Sequence, residues 1–250
     1  MVEWYKEAFD EFYAEVYSHR DEKEAQEFAA FLGKVVTLEG AEMLDVCCGG
    51  GRHIRAFGAA GATCFGLDLS EVLLCQCRAE GSRGMSRVVR GDMRSFPFKS
   101  ESFDVCINMF TSLGYFEDVQ EELEVLREVY RVLRPRGLFI LDHANLNWVK
   151  SNFEARTVRT KGELLIEETR NLLSDGRLVE KRTIIRSAED PSVAVSDHTE
   201  RLVLFAKTEL EGMLVNIGYD PVGFYGDYAG APFEEEASPR LLILSRKRGG

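Results

Sequence analysis

The stretch Met43-Leu44-Asp45-Val46-Cys47-Cys48-Gly49-Gly50-Gly51 decides the fold. Residues 43–47 read as a short buried strand. The glycines read as a tight turn, and Ile54 and Phe57 carry a helical spacing out of it. Free N–H groups at such a turn and helix start attract carboxylates and phosphates. Glycine lets the backbone come close to a ligand. Taken alone, the stretch announces a nucleotide-like ligand and no more.

Working outward, short apolar runs alternate with helical segments. Thr63-Cys64-Phe65-Gly66-Leu67 reads as a second strand ending at Asp68, and Ser70 is placed to cap a helix from Val72 to Ala79. Third and fourth strands are expected at Arg87–Arg90 and Phe103–Asn108. A helix from Val119 to Leu133, with Leu123, Leu126, Tyr130 and Leu133 on one face, stops at Pro135 and Gly137. Leu138–Leu141 reads as a fifth strand. This rhythm predicts βαβ units and a doubly wound, Rossmann-like, mostly parallel α/β sheet.

The rhythm breaks between 155 and 205. Two β-prone runs flank Ser174-Asp175-Gly176, a hairpin signal, and Glu200–Phe205 adds a third. A small antiparallel insertion is expected there, charged enough to bury one face at most. Thr208 is then expected to cap a helix ending at Gly218, followed by strands near Val222–Tyr225 and Leu241–Leu244. At the front, Tyr5, Phe9, Tyr13 and Tyr17 recur at four-residue steps, and Phe28, Phe31 and Leu32 resume the stripe. The expected layout is one domain over 1–250. It has a helical cap at 1–35, a cofactor-binding core at 36–150, an antiparallel lid at 151–205, and closing elements at 206–250.

The 250 residues, 45% hydrophobic and 29% charged, suit one globular domain. The charge of −11 repels a phosphate backbone and makes nucleic acid an unlikely partner. The arginines at 78, 83, 87, 90 and 94 are interleaved with glycine and acidic residues and read as solvated surface. No apolar run approaches a membrane span and no apolar signal core opens the chain, so a cytoplasmic location is expected. The six cysteines include no Cys-x-x-Cys pair, so no metal site is expected. They read as small buried hydrophobes in a reducing compartment.

Spacing sharpens the ligand. A dinucleotide turn wants a small third residue where Ile54 stands, which disfavours NAD. Asp45 precedes the turn by four residues, where a carboxylate can accept from an ammonium group or orient the turn. Asp68 ends the second strand, where a carboxylate takes ribose hydroxyls. Asp92 and Met93 follow the third strand, suited to an adenine amino group and ring. Asn108 ends the fourth.

In Leu44–Gly51, Gly66-Leu67-Asp68-Leu69-Ser70, Gly91-Asp92-Met93-Arg94, Phe103–Phe110 and Leu133-Arg134-Pro135-Arg136-Gly137, the sequence resembles the class I S-adenosylmethionine-dependent methyltransferases. His198–Phe205 and Gly226-Asp227-Tyr228 resemble a small-molecule subgroup that includes amino-sugar N,N-dimethyltransferases. The resemblance implies S-adenosylmethionine as cofactor. Asp45, Cys47, Gly49 and Gly51 would hold its methionine part. Asp68 and Leu69 would take the ribose, Asp92 and Met93 the adenine, and the backbone near Asn108 would lie by the sulfur. Cys47 departs from the glycine common in relatives. Tyr13 and Tyr17 are candidates to close over the cofactor, since aromatic faces favour a sulfonium.

Methyl transfer needs positioning, and a base helps when the acceptor is a hydroxyl or an ammonium. His143 after the fifth strand, His198 in the lid and Tyr115 after the fourth strand are the candidates. Asp142 is a candidate amine ligand. The expected acceptor is a small molecule with an amine or hydroxyl group; the oligomeric state is left open. The rivals are an RNA or protein methyltransferase, a NAD-dependent oxidoreductase, and a non-catalytic cofactor-binding module.

Overall fold

A computed structural model of the chain describes residues 4–6, 8–9, 12–13, 17, 22–80, 87–190 and 192–249. The helical reading across 1–20, and Arg83 of the basic stretch, fall largely or wholly outside these. Trp4–Lys6 forms one 3-10 turn and Glu22–Leu32 forms helix α1.

Five strands follow in the expected rhythm: β1 Glu42–Val46, β2 Thr63–Asp68, β3 Arg87–Arg90, β4 Phe103–Asn108 and β5 Leu133–Ala144. Helices α2 Arg52–Ala59, α3 Glu71–Glu80 and α4 Val119–Val132 lie between them. After α5 (Leu146–Ser151) come β6 Arg156–Lys161, β7 Leu164–Leu173, β8 Leu178–Ser187 and β9 Ala194–Val203. Helix α6 Lys207–Ile217 leads to β10 Tyr219–Tyr225 and β11 Arg240–Lys247.

The main sheet runs β10-β11-β5-β4-β1-β2-β3. Strands β1 to β5 pair in parallel, and β11 slots antiparallel between β5 and β10. Strand alternation sends Leu44, Val46 and Leu141 to one face, against Leu126 and Val129 of α4 and Leu214 of α6. Met43, Ile107 and Ile140 go to the other, against Phe28 of α1 and Phe57 of α2. Each fully buried side chain of this size contributes about 1.5–3 kcal/mol. Among the described residues, no helix is long and apolar enough to cross a membrane.

Several local expectations are corrected. Strand β5 begins at Leu133, which pairs with Phe103; residues Pro135 to Gly137 then bulge out before pairing resumes at Leu138. The buried face of α4 is Glu122, Val125, Leu126, Val129 and Val132, not the stripe through Leu123 and Tyr130. Helix α6 starts one residue before Thr208, and the Glu209 carboxylate accepts from Ala206 N at 2.8 Å. Cys75 is exposed, unlike the buried Cys48, Cys64, Cys77 and Cys106. Strand β6 went unread because its sequence, Arg-Thr-Val-Arg-Thr-Lys, is a solvated edge.

Ile54 stands where a small residue normally lets helix and strand approach. The structure shows what replaces it. A Cβ on Gly66 of β2 would sit 2.6 Å from both Ile54 Cδ1 and Cys48 Sγ. The missing side chain has moved from helix to strand. Gly66→Ala is expected to cost about 1–3 kcal/mol by overpacking. Ile54→Ala in the same chain should recover a good part of that loss. Denaturant unfolding of the two single variants and the double variant checks this; strictly additive losses would count against it.

Candidate functional site

The turn after β1 carries three positive φ angles: 63° at Cys47, 52° at Gly49 and 80° at Gly51. Glycine tolerates these angles, and Cys47 holds the first of them under strain. A Cβ on Gly51 would meet Cys77 Sγ at 2.3 Å, so the turn is pressed against α3. The Asp68 carboxylate braces it, accepting from Gly49 N and Ser70 N, each at 2.8 Å. Burial pushes the Asp68 carboxyl up, and these backbone donors oppose the shift. Ser70 Oγ also accepts from Leu73 N at 3.3 Å, the expected helix cap.

A cavity of about 410 Å³ opens over this turn, within the usual ~300–1,000 Å³ of ligand sites. Cys47, Gly49, Gly50 and Gly51 form one wall, and Asp68 and Leu69 the next. Asp92 and Met93 form another, with Met109, Phe110 and Ser112 beyond. Tyr5, Phe9, Tyr13, Tyr17 and Tyr115 close the front. Asp92 is already ion-paired with Arg94, its Oδ2 2.6 Å from Nη2. Met93 Sδ lies 3.4 Å from Cys47 Sγ.

Four expected site residues do not line this cavity. Asn108 spends both ends of its amide on backbone, donating to Val46 O at 3.1 Å and accepting from Leu113 N at 3.1 Å. Asp45 is 3% exposed, lies off the wall, and has Oδ2 3.8 Å from His53 Nδ1 with no hydrogen-bond partner. Burial pushes Asp45 up to about 8; Arg52 pulls it down and Asp68 adds to the rise. His143 is fully buried, faces Phe205, and has Nδ1 2.9 Å from Ala144 O. Alternation along β5 turns it to the α4 side of the sheet, and burial lowers it to about 4. It lines neither cavity. His198 lies off the wall too, with Nε2 3.4 Å from Glu200 Oε1.

The raised Asp45 has a consequence for stability. Between pH ~4 and ~8 the folded chain holds a proton that the unfolded chain has lost, so stability falls as pH rises through this window. Buried Glu122, also raised to about 8 by burial, adds to the fall. Below pH ~6.5 the buried, lowered His143 and His53 oppose this fall, so Asp45→Asn is expected to make the decline in melting temperature from pH ~6.5 to pH ~8 roughly half as steep. An unchanged slope in a thermal scan would refute the assignment.

A second cavity, of about 460 Å³, lies between the insertion and the sheet rim. Tyr13, Tyr17, Phe110 and Tyr115 line both cavities and form a shared wall. Tyr115 packs on Trp4 at 4.9 Å and Phe9 at 5.9 Å between ring centroids. Glu122 braces its loop, accepting at Oε1 from Gly114 N at 2.9 Å and Phe116 N at 2.8 Å. Asp142 lies behind this cavity rather than on its wall, accepting from Phe110 N, Tyr228 Oη and Arg240 Nε at 2.6–2.8 Å.

The inward face of the antiparallel insertion supplies most of the rest of the second cavity, with Trp4, Thr111, Ala144 and Arg240 completing it. Thr157 and Arg159 of β6, Glu168 and Arg170 of β7, Lys181 of β8 and Glu200 of β9 all point there. Sequence reasoning missed these residues. The signal was present as charges two residues apart on β7 and single charges on β6, β8 and β9, but charges on a strand were taken as solvated. Tyr17 Oη donates to Glu200 at 3.0 Å and receives Lys181 Nζ. Burial pulls Glu200 up, and Lys181 and His198 override it to hold the carboxyl at about 2.

The comparisons agree with this layout. Residues 44–141 match the family model described as a methyltransferase domain. The chain is 28% identical over 211 residues to the dTDP-4-amino-2,3,4,6-tetradeoxy-D-glucose N,N-dimethyltransferase of Saccharopolyspora spinosa, covering 80% of this chain and 81% of that one. It superposes on the CcbJ methyltransferase of Streptomyces caelestis with a TM-score of 0.82 at 17% identity, covering 98% of this chain and 99% of the other. An amino pentose methyltransferase of Micromonospora echinaspora, solved with S-adenosylmethionine bound, gives 0.70 at 20% identity, covering 95% and 97%. A parallel sheet with its cavity at the first strand's glycine turn, matched by that domain model, defines a methyltransferase. Residues 44–141 thus carry a methyltransferase domain, and the chain is similar to S-adenosylmethionine-dependent methyltransferases, the family its motifs resemble.

Proposed function

We propose that the chain moves a methyl group from S-adenosylmethionine in the first cavity to an amine nitrogen of a small molecule in the second. The observation that carries this reading is the shared wall of Tyr13, Tyr17, Phe110 and Tyr115 between two cavities of similar size. The cofactor supplies an activated methyl and its own leaving group. The chemistry of the first cavity suits it. Aromatic faces meet a sulfonium favourably, and the carboxylates of Asp68 and Asp92 stand ready as acceptors. Gly49 and Gly51 bring backbone within reach of the methionine end. Leu69 and Met93 supply apolar surface for a flat ring.

The chain's own work is to hold and orient. Tyr115 touches both cavities and remains the candidate to steer the acceptor. Glu200, held ionised on the second wall beside Tyr17, favours a cationic or hydrogen-bonding amine. The amine-methylating relative supports nitrogen over oxygen. A methyl-release assay with S-adenosylmethionine over amino sugars, simple amines and phenols tests the reading. Turnover is expected on amines. Turnover on phenols alone would move the acceptor atom to oxygen, and no binding of S-adenosylmethionine would overturn the whole reading.

A further inference from the structure

The lid's inward face has a charge pattern that methyl transfer to an amine does not by itself require. Strand pairing sets Thr157 beside Glu168, Arg170 beside Lys181, and Lys181 beside Glu200. Glu168 is the buried centre, its side chain 5% exposed. Its Oε2 accepts from Thr157 Oγ1 at 3.1 Å, Arg159 Nη1 at 2.6 Å and Arg170 Nη2 at 2.8 Å, and Lys181 Nζ lies 3.8 Å from Oε1. Burial pushes the Glu168 carboxyl up, and the surrounding cations more than reverse it.

Three cations thus face two carboxylates on this floor, in a chain of net charge −11. The carboxylates lie deep, while Arg159 is 38% and Arg170 23% exposed. What the cavity presents outward is therefore guanidinium, at the β6–β7 side. What it presents at the β9 side, by the shared wall, is the Glu200 carboxylate with Tyr17. The two sides are up to three strand spacings apart, roughly 14 Å.

We propose that the methyl acceptor carries an anionic group, a phosphate or a carboxylate, which docks on Arg159 and Arg170 with Lys181 behind them. Its methylated end then lies toward Glu200 and the shared wall. The guanidinium fork matches either anion in two-point fashion, and a low-dielectric cavity strengthens the contact. This inference rests on the acceptor lying in the second cavity, as proposed above.

Calorimetry with inorganic pyrophosphate and with malonate, at constant ionic strength, tests it on the whole protein. Wild type, Arg159→Gln, Arg170→Gln and Arg182→Gln are compared, with a thermal scan of each. Arg182 lies on the lid's outer face, 55% exposed and 2.7 Å from Asp197. Binding is expected to weaken about tenfold in each of the first two variants and to stay unchanged in Arg182→Gln. Tighter binding of pyrophosphate marks a phosphate acceptor, and tighter binding of malonate marks a carboxylate. Wild-type binding of neither probe at about 10 mM, or equal affinity in Arg159→Gln, overturns the proposal. S-adenosylhomocysteine titrated into the same samples separates the failures. Its binding with no anion site leaves the methyltransferase reading standing, and its absence sinks that reading instead.

Discussion

Asp68→Ala is expected to weaken binding of S-adenosylmethionine and S-adenosylhomocysteine about a hundredfold or more. The carboxylate does two things at once. It lines the first cavity, and it holds the glycine turn by accepting from Gly49 N and the start of α3 by accepting from Ser70 N. Hydrogen bonds to a charged group are worth about 1.5–3 kcal/mol each, and about 2.7 kcal/mol is already a factor of a hundred. Truncation also leaves two half-buried N–H groups without their acceptor, so the turn relaxes along with the lost contact. Asp68→Asn keeps one acceptor oxygen and should fall between. Calorimetry reads the series. Wild-type affinity in the alanine variant would disprove the placement of the cofactor in this cavity.

Glu168→Leu should be the most destabilising change in the lid, at about 3–5 kcal/mol, the usual cost of removing one partner from a buried charge cluster. Arg159, Arg170 and Lys181 would be left facing one another with their common counter-ion gone. The damage should stay local. Hydrogen exchange is expected to quicken in β6 to β9 while β1, β4 and β5 keep their protection. Since the lid has its own four-stranded sheet, its loosening need not open the parallel one. A loss under about 0.5 kcal/mol would show that the cations find solvent instead, and that Glu168 is not the keystone of the floor.

The two variants fall on two halves of the molecule that were unequally legible in the sequence. The donor half is written locally. Gly49, Gly51, Asp68, Asp92 and Met93 each sit at a strand end, and apolar alternation locates strand ends well. Even there, two expected residues do not line the cavity, for one reason. Asp45 and Asn108 are at the right ends, but one sits off the cavity wall and the other spends its amide on backbone. Position along a strand was readable; the direction of a side chain at its last residue was not. His143 likewise lines neither cavity, since one step along β5 separates it from Asp142 on the opposite face. The half proposed to hold the acceptor depends on pairing between strands far apart in sequence. Nothing local shows that Thr157 meets Glu168 and Lys181 meets Glu200. Charges that look solvated one strand at a time become a buried network only when four strands are laid side by side.

The wall of Tyr13, Tyr17, Phe110 and Tyr115 has a thermodynamic meaning as well as a geometric one. It belongs to both cavities, so on the proposed reading each ligand would press on the same four rings from its own side. A donor that settles those rings in one arrangement alters the affinity for the acceptor by some factor, and the acceptor alters the affinity for the donor by that same factor. The rings reach the lid through Tyr17 and Glu200, and Tyr115 is held by a loop tied to Glu122 in α4. On that reading donor and acceptor would not load as independent events. The partition that keeps them apart is also the part through which each one reports the presence of the other.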